Sequence, residues 1–269
     1  MEEEINGIKI YRYYSYASPK VNLYNRLLNY LSFMLSSLFF IFKKEKLKSK
    51  GIDDRKIKYI SNGFDKSFLK NEIKMNIVDE FNLKDKFTLV YAGNIGLAQG
   101  LDIILNAAEN LKDYSEIQFL IIGDGLEKDE LEQQAKKAGL NNLKFLGLYP
   151  HASIYTFLKY SDASIIPLKN ENLKDSVPSK LFESLGAGCP VILSASGESE
   201  KIVNDSNGGL IIEPGNSDNL KDAILKLYNN KDLKEEYSKN GQEFVLDNFT
   251  KEKIAKKLEI ILIDYLDSN

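Results

Sequence analysis

Two acidic residues and a lysine stand close together in a segment with the residue types of a ligand-binding turn. Asp175 and Glu183 are eight residues apart, and Pro178 lies between them where a proline suits the first turn of a helix. The N–H groups of Ser179 and Lys180 would then lie at the positive end of that helix. A carboxylate that accepts two hydroxyl groups is the usual way to bind a ribose in a doubly wound fold. The spacing lets both carboxylates face one ligand, and it equally fits Glu183 as a solvated helix residue.

A second candidate is the glycine-rich turn YAGNIGLAQGLD at 91–102. The apolar run FTLVYA leads into Gly93, Gly96 and Gly100, and an amphipathic helix follows. Glycines let backbone N–H groups approach an anion at the start of a helix, which suits a diphosphate. The turn has neither the spacing of a dinucleotide fingerprint nor the lysine of a Walker motif. It predicts phosphate contact, and a tight turn without a ligand is the alternative.

Apolar runs alternate with amphipathic segments from Lys58 onward, and this pattern predicts the elements that would position these residues. It is typical of parallel strands joined by crossover helices. We predict strands near 58–61, 87–92, 117–122, 143–146, 163–167, 190–194 and 209–212. We predict helices near 101–112, 126–139, 152–160, 179–187, 198–204 and 216–229, and two C-terminal helices near 232–246 and 250–266. The predicted fold class is α/β with a doubly wound parallel sheet, a helical N-terminal remnant and C-terminal helices.

The N-terminal segment does not have the pattern of a domain of its own. It offers one strand-like run, GIKIYRYYSYA, and then an apolar helix at 27–42. About 55 residues are too few for an independent α/β core. The lysine-rich stretch at 43–50 gives the boundary signal, so we predict one part at 1–50 and a larger domain at 51–269.

The apolar helix at 27–42 has two interpretations. It is shorter than the roughly 18–20 apolar residues of a membrane-spanning helix, and it contains Asn29. Because lysines follow it, an interfacial helix on anionic lipid is one interpretation, and a helix packed against other protein is the alternative. The start MEEEINGIKI is acidic where a signal peptide is basic. We predict a cytoplasmic chain, with or without peripheral contact to the inner face of the membrane.

Composition excludes several classes of function. The formal net charge is -3, from 36 basic and 39 acidic residues, which argues against a mainly electrostatic nucleic-acid binder. The single cysteine, Cys189, excludes an intramolecular disulfide framework, and the single histidine, His151, leaves no zinc-binding cluster of Cys and His. We therefore expect no structural metal and no cofactor.

Several motifs together resemble glycosyltransferase family 4, which has the GT-B fold. The segment DSVPSKLFESLGAGCPVI at 175–192 resembles the family signature of an acidic residue, seven intervening residues and Glu, closing with A-x-G-x-P-V-I. The run ISNGFD at 60–65 is similar to the interdomain turn, and FLIIGDG at 119–125 is similar to the fourth-strand motif. The run at 145–168 is similar to the base-binding loop and the helix and strand after it. The resemblance covers about residues 50–265 in family order.

The resemblance implies a role for each matched position. Glu183 matches the carboxylate that binds the ribose hydroxyls, and Asp175 matches the acidic residue beside the donor sugar. Gly147 and Leu148 match the loop at the base, and Gly93 and Gly96 match the glycines facing the diphosphate. The loop that meets the phosphates and sugar corresponds to Ser176, Val177, Pro178, Ser179 and Lys180. The implied reaction is transfer from a nucleoside-diphosphate sugar with retention, without a required metal.

The sequence departs from the family pattern at the cations and at the first acidic residue. Asp175 is one methylene shorter than the usual Glu. Asn94 and Gln99 take the donor-binding positions where the family usually has Arg and Lys, so Lys180 is the candidate for the remaining cation beside Asp175. This substitution, with GNIGLAQGL and PSK, resembles the subgroup that acts on N-acetylated 6-deoxyhexosamines (the fucosamine type) in surface polysaccharide synthesis.

The N-terminal part matches only a remnant of the family's acceptor domain. Residues 1–50 resemble an internal piece of it, and 51–269 resemble the nucleotide-sugar-binding domain. The family's sugar-contacting histidine belongs to the acceptor domain, so we interpret His151 as a loop or helix-cap residue. Three functions remain open: a retaining transferase, a nucleotide-sugar-binding subunit or inactive fragment that needs a separate acceptor-binding chain, and a sugar-nucleotide epimerase of the same architecture. By analogy we expect UDP as the nucleotide and a glycan or lipid-linked acceptor, with a partner chain or a homo-oligomer covering the apolar face.

Overall fold

The computed structural model describes residues 2–5, 8–11, 60–169 and 177–267, and the chain divides into two units, Met1–Tyr59 and Ile60–Asn269. In the first unit, strands β1 (Glu2–Ile5) and β2 (Ile8–Tyr11) form an antiparallel pair, with Ile5 opposite Ile8. The sequence predicted one strand-like run here and missed β1, because consecutive glutamates are depleted in strands. The predicted helix at 27–42 and the lysine stretch at 43–50 lie outside the described residues, so the domain boundary at 50 stays a prediction.

The second unit contains a parallel six-stranded sheet whose strand order reverses in the middle. Its order is β5-β4-β3-β6-β7-β8. The chain starts in the centre at β3, builds outward to β5, and returns to the other side of β3 at β6. This is the doubly wound order, and ligands of such sheets bind outside the carboxyl ends of the strands where the order reverses. The predicted α/β fold class is confirmed. The strands are β3 (Phe87–Ala92), β4 (Ile117–Ile122), β5 (Leu143–Gly147), β6 (Ala163–Pro167), β7 (Val191–Ser194) and β8 (Gly209–Ile212).

Nine α-helices of the second unit are described, and eight of them were predicted to within two residues at each end. They are α1 (Met75–Glu80), α2 (Asp102–Asn110), α3 (Lys128–Lys137), α4 (His151–Tyr160), α5 (Ser179–Gly186), α6 (Glu198–Ser206), α7 (Ser217–Tyr228), α8 (Lys231–Asn248) and α9 (Lys251–Asp267). The sequence missed α1 and a short 3-10 helix at Lys66–Lys70. It also predicted a strand near 58–61, but Ile60 and Ser61 are in no strand, and Phe64 instead makes a single parallel bridge to Thr250.

Side chains that alternate along the strands fill a separate core on each face of the sheet. Leu89 and Tyr91 of β3 belong to the core that α2, α3 and α7 cover. Val90, between them, belongs to the core that α1, α4, α5 and α6 cover. Successive side chains of a strand point to opposite faces, and a parallel sheet needs apolar residues on both. Helices thus cover both faces of the sheet, and the loops that follow the strands lie at its carboxyl edge.

Helix α5 is fixed by α8 and by the segment that begins the unit. Gln242 donates to the carbonyl of Gly186 at 2.8 Å, and Ser238 donates to the carbonyl of Gly188 at 2.6 Å. A Cβ on Gly186 would lie 2.6 Å from the ring of Phe64, so only glycine allows this approach. These contacts hold the helix that carries Lys180 and Glu183. Among the described residues, no helix is both long and apolar enough to span a membrane.

Candidate nucleotide-binding site

The loops after three neighbouring strands are joined by backbone hydrogen bonds at the carboxyl edge of the sheet. In the loop after β3, Ile95 donates to the carbonyl of Asp124, which follows β4, at 2.9 Å. Gly123, also after β4, donates to the carbonyl of Gly147 at the end of β5, at 2.7 Å. Three turns that are distant in sequence therefore form one continuous backbone surface.

Two glycines after β4 make this close contact possible. A Cβ on Gly123, whose φ is +143°, would lie 1.8 Å from the carbonyl oxygen of Gly93. A Cβ on Gly125 would lie 2.1 Å from the carbonyl oxygen of Ile95. Both contacts are with backbone atoms, which cannot rotate away as a side chain can. The motif FLIIGDG thus shapes the glycine turn after β3.

Lys180 reaches across the carboxyl end of β3 from the first turn of α5. Its Nζ donates to the hydroxyl of Tyr91 at 2.9 Å and lies 4.0 Å from the centroid of the same ring. A Cβ on Gly93 would lie 2.6 Å from this Nζ, so the missing side chain leaves the space that the ammonium occupies. Tyr91 and Leu181 belong to different cores. The lysine therefore passes over the edge of the sheet beside the glycine turn.

The ammonium of Lys180 is buried with neutral contacts. Burial lowers the pKa of Lys180 to about 8, and the negative charge of Glu183 acts in the opposite direction. In the described part of the chain, no carboxylate forms an ion pair with this ammonium. A buried cation is costly unless an anion pairs with it. The arrangement suits an anionic group at the glycine turn.

Asn94 and Gln99 lie over Gly96 as a pair of neutral amides. Asn94 Nδ2 donates to Gln99 Oε1 at 3.3 Å, and a Cβ on Gly96 would lie 2.8 Å from that Nδ2. The hydroxyl of Tyr91 donates to the carbonyl of Asn94 at 2.5 Å. The position where the resemblance expects two cations thus holds hydrogen-bonding groups without charge.

Glu183 contacts a histidine from the neighbouring helix. Its Oε1 lies 3.1 Å from Nε2 of His151, the first residue of α4, and the carboxylate side chain is 28% exposed. The imidazole also packs against Phe68, with ring centroids 5.1 Å apart. Because α4 begins just after β5, this contact places Glu183 at the carboxyl edge of the sheet. Lys180 and Glu183 are three residues apart on one helix and therefore share a face.

The remaining candidates lie around these two groups. Gly147 has φ +71°, and Leu148 after it is 71% exposed. Pro178 is the residue before α5, with φ -69°, and Ser179 begins the helix. Val177 directly precedes Pro178 and is half-buried. Asp175 and Ser176 lie outside the described residues, so their predicted contacts stay predictions.

Sequence reasoning missed Tyr91 and found no role for His151 at the site. Tyr91 is separated from Lys180 by 89 residues, and His151 is separated from Glu183 by 32 residues. Both residues lie within runs that the sequence singled out, 91–102 and 145–168, but nothing in either run indicates its distant partner, so only the fold brings these pairs together. The described residues contain no group of three or more His, Cys, Asp or Glu side chains that could hold a metal.

Known proteins resemble the chain over the same region. The archaeal glycosyltransferase MJ1178 of Methanocaldococcus jannaschii is 27% identical over 206 residues, which are 70% of this chain and 56% of that protein. WcaI of Escherichia coli, a putative colanic acid biosynthesis glycosyl transferase, is 33% identical over 123 residues, which are 45% of this chain and 30% of that protein. The crystal structure of Anabaena Alr3699/HepE in complex with UDP matches 77% of this chain and 57% of that one, with a TM-score of 0.68 and 20% identity.

The chain spans about half the length of MJ1178 and of the Anabaena protein. The model of the family "Glycosyl transferases group 1" matches residues 74–244, which include the glycine turn, β5 with its loop, and α5. This match covers well over half of the chain and the whole carboxyl edge described above. The chain therefore belongs to the glycosyl transferases group 1 family.

Proposed function

We propose that the chain binds a nucleoside-diphosphate sugar at the carboxyl edge of β3 and β6 and serves its transfer to an acceptor with retention of configuration. The observation that carries this proposal is the buried ammonium of Lys180, held over Gly93 without an ion-pair partner among the described residues. It lies where the strand order reverses, which is the usual ligand position of a doubly wound sheet.

Each group has a proposed role in donor binding. The carboxylate of Glu183 accepts the ribose hydroxyls, and the backbone of Gly147 and Leu148 contacts the base. The turn at Gly93 and Gly96, with the amides of Asn94 and Gln99, lies along the diphosphate. Asp175 and the residues Ser176, Val177, Pro178 and Ser179 contact the sugar and phosphates. UDP is the proposed nucleotide because Alr3699/HepE was crystallised with UDP and with UDP-glucose.

Lys180 is the proposed catalytic cation. During transfer, the bond between the anomeric carbon and the diphosphate oxygen breaks, a bond to the acceptor oxygen forms, and the proton of the acceptor hydroxyl passes to the leaving diphosphate. Negative charge then develops on the leaving diphosphate. An ammonium already fixed in a poorly hydrated position stabilises this charge without reorganisation. Holding the donor in one orientation lowers the barrier further.

The acceptor and the location follow from the relatives by analogy. WcaI is named for colanic acid biosynthesis, and LpsD of Rhizobium meliloti is named for lipopolysaccharide core biosynthesis. We propose a surface-polysaccharide or lipid-linked acceptor at the cytoplasmic side of the membrane, with a donor sugar of the N-acetylated 6-deoxyhexosamine class. Peripheral membrane contact through 27–42 belongs to the same proposal.

A second candidate function is nucleotide-sugar binding without transfer by this chain alone. It is favoured by the groups described at this edge, Lys180, Glu183 and the glycine turn, which are all assigned to the nucleotide sugar and not to an acceptor. In this case a separate chain or a second copy would supply the acceptor side.

Isothermal titration calorimetry with UDP, alongside a sugar-transfer assay on the same preparation, tests both candidates. We expect UDP to bind, and we expect Glu183→Gln to weaken UDP and uridine alike, roughly tenfold to a hundredfold, because hydrogen bonds from the ribose to a charged group are lost. The control Glu243→Gln changes an exposed carboxylate on α8. Binding with transfer supports the enzyme, and binding without transfer supports the second candidate. Unaltered UDP affinity in Glu183→Gln would discard the ribose role.

A further inference from the structure

The hydroxyl of Tyr91 links the ammonium of Lys180 to the backbone of the glycine turn. Nζ of Lys180 donates to this hydroxyl at 2.9 Å, and the hydroxyl donates to the carbonyl of Asn94 at 2.5 Å. An ammonium can only donate and a carbonyl can only accept. The direction of both hydrogen bonds is therefore fixed, and the phenol oxygen is committed at once as acceptor and donor.

The buried position of Tyr91 keeps this link in one state. The side chain is 1% exposed and belongs to the core beneath β3. Burial raises the pKa of Tyr91 above its usual value, so its hydroxyl is a neutral donor near neutral pH. With so little exposed surface, the residue is part of the support beneath the site.

Three features of the structure confine the ammonium. The hydroxyl holds Nζ from one direction, and the ring centroid lies 4.0 Å from the same atom, within the range of a cation–π contact. The missing side chain of Gly93 opens the space that Nζ fills. A lysine side chain otherwise has many rotamers, and fixing them on ligand binding costs conformational entropy.

We propose that Tyr91 is a positioning residue that holds the Lys180 ammonium against the Gly93 turn, ready to meet the diphosphate of a bound nucleotide. The inference rests on the proposed function, in which Lys180 is the cation at the diphosphate. Tyr91 itself does not touch the nucleotide. Its effect is to orient the cation before binding, which is the condition for electrostatic stabilisation without reorganisation.

Two described groups act on the ammonium of Lys180, and Tyr91→Phe changes only one of them. Within the described chain, Tyr91 acts on the ammonium from β3, and Glu183 acts on it from the same helix. Glu183 is itself paired with His151 from α4. Tyr91→Phe keeps the aromatic ring, the Glu183 carboxylate and the His151 imidazole. It removes only the hydroxyl between Lys180 and Asn94.

The test compares UDP with uridine, because only UDP carries the diphosphate. By isothermal titration calorimetry at about pH 7, Tyr91→Phe is expected to weaken UDP roughly tenfold and to leave uridine unchanged, because the ammonium is no longer held toward the glycine turn and must be ordered on binding. The matched control is Tyr237→Phe, which removes the hydroxyl of another buried tyrosine on α8. This control is expected to bind both compounds as the wild type does.

A double-mutant cycle separates positioning from general damage to the fold. If Tyr91 acts through Lys180, then Tyr91→Phe causes no further loss of UDP affinity in a Lys180→Ala background. The pH profile gives a second readout. Losing the hydroxyl that accepts from the ammonium lowers the pKa of Lys180 further. As pH is raised from about 7, UDP affinity should therefore begin to fall at a lower pH in Tyr91→Phe than in the wild type. The series starts at about pH 7 because the phosphate pKa is about 6.

The possible outcomes distinguish failure of the positioning role of Tyr91 from failure of the proposed function. If the wild-type chain does not bind UDP, the proposed function fails, and the inference fails with it. If Lys180→Ala weakens UDP while Tyr91→Phe binds it as the wild type does, the positioning role alone is overturned. Equal losses of UDP and uridine in Tyr91→Phe, or additive losses in the double variant, would also overturn it, because they indicate a structural role.

Discussion

The charge balance around Lys180 decides what chemistry this edge of the sheet can perform. Its ammonium directly contacts the hydroxyl and the ring of Tyr91. Glu183 acts on it from one turn further along the helix without forming an ion pair. Under the proposed function, the diphosphate of the donor supplies the anion beside this ammonium. The neutral pair Asn94 and Gln99 carries no charge, and the ammonium of Lys180 is the cation that lies against Gly93 in the described part of the site.

Lys180→Ala should lower turnover more than it changes donor affinity. The leaving diphosphate gains negative charge in the transition state, so we expect kcat to fall about 10²-fold to 10³-fold and the donor KM to change less. Because only the ammonium carries charge and its pKa without donor is about 8, wild-type kcat/KM for the donor should also fall as pH rises through about 8. Steady-state kinetics with the control Lys159→Ala, an exposed lysine on α4, checks this. A variant with an unaltered rate would remove Lys180 from the mechanism.

For single residues, the sequence predicted those with a recognised role in a motif and missed those whose role depends on a distant partner. Glu183 and Lys180 stand in a segment whose spacing and proline indicate a helix start, and that helix is present. The partners Tyr91 and His151 come from other elements. Nothing in the strand FTLVYA distinguishes the tyrosine from a core residue, and it is in fact both a core residue and the partner of Lys180.

The strands and helices of the second unit could be predicted because their signals are local. Apolar runs of four to six residues became β3 to β8, and amphipathic segments became the crossover helices. Helix α1 has six residues and no side-chain cap, so its local signal is weak. The predicted strand near 58–61 was wrong at Ile60 and Ser61, because this segment is held through Phe64 and the distant Thr250. Pairing across the whole chain leaves no trace in a short window.

The packing of one glycine turn on another gives a prediction about stability. Gly123→Ala should lower the free energy of unfolding by about 2 to 5 kcal/mol, because its Cβ would lie 1.8 Å from the carbonyl of Gly93 at a positive φ. Gly139→Ala is the matched control, since φ there is +66° and no atom lies within 4 Å of the added Cβ. It should cost about 1 kcal/mol from strain alone. Thermal unfolding measures both variants, and equal shifts in Tm would show that the contact between the turns is unimportant.

The whole molecule has two units, of which the second contains the doubly wound sheet and the first contains one described hairpin. The sequence predicted a division between 1–50 and 51–269 from a lysine-rich stretch. Composition alone could not indicate what the smaller unit does, and the chain spans about half the length of its relatives MJ1178 and Alr3699/HepE. Under the proposed function, the described residues are assigned roles on the donor side only.

The most direct test of nucleotide binding at this edge is a crystal structure of the chain soaked with UDP. We expect the ribose hydroxyls within hydrogen-bond distance, about 2.6–3.2 Å, of the Glu183 carboxylate, and the diphosphate between Lys180 and the turn at Gly93. Nucleotide density on the opposite edge of the sheet, or UDP at millimolar concentration leaving this edge without density, would contradict the proposed site.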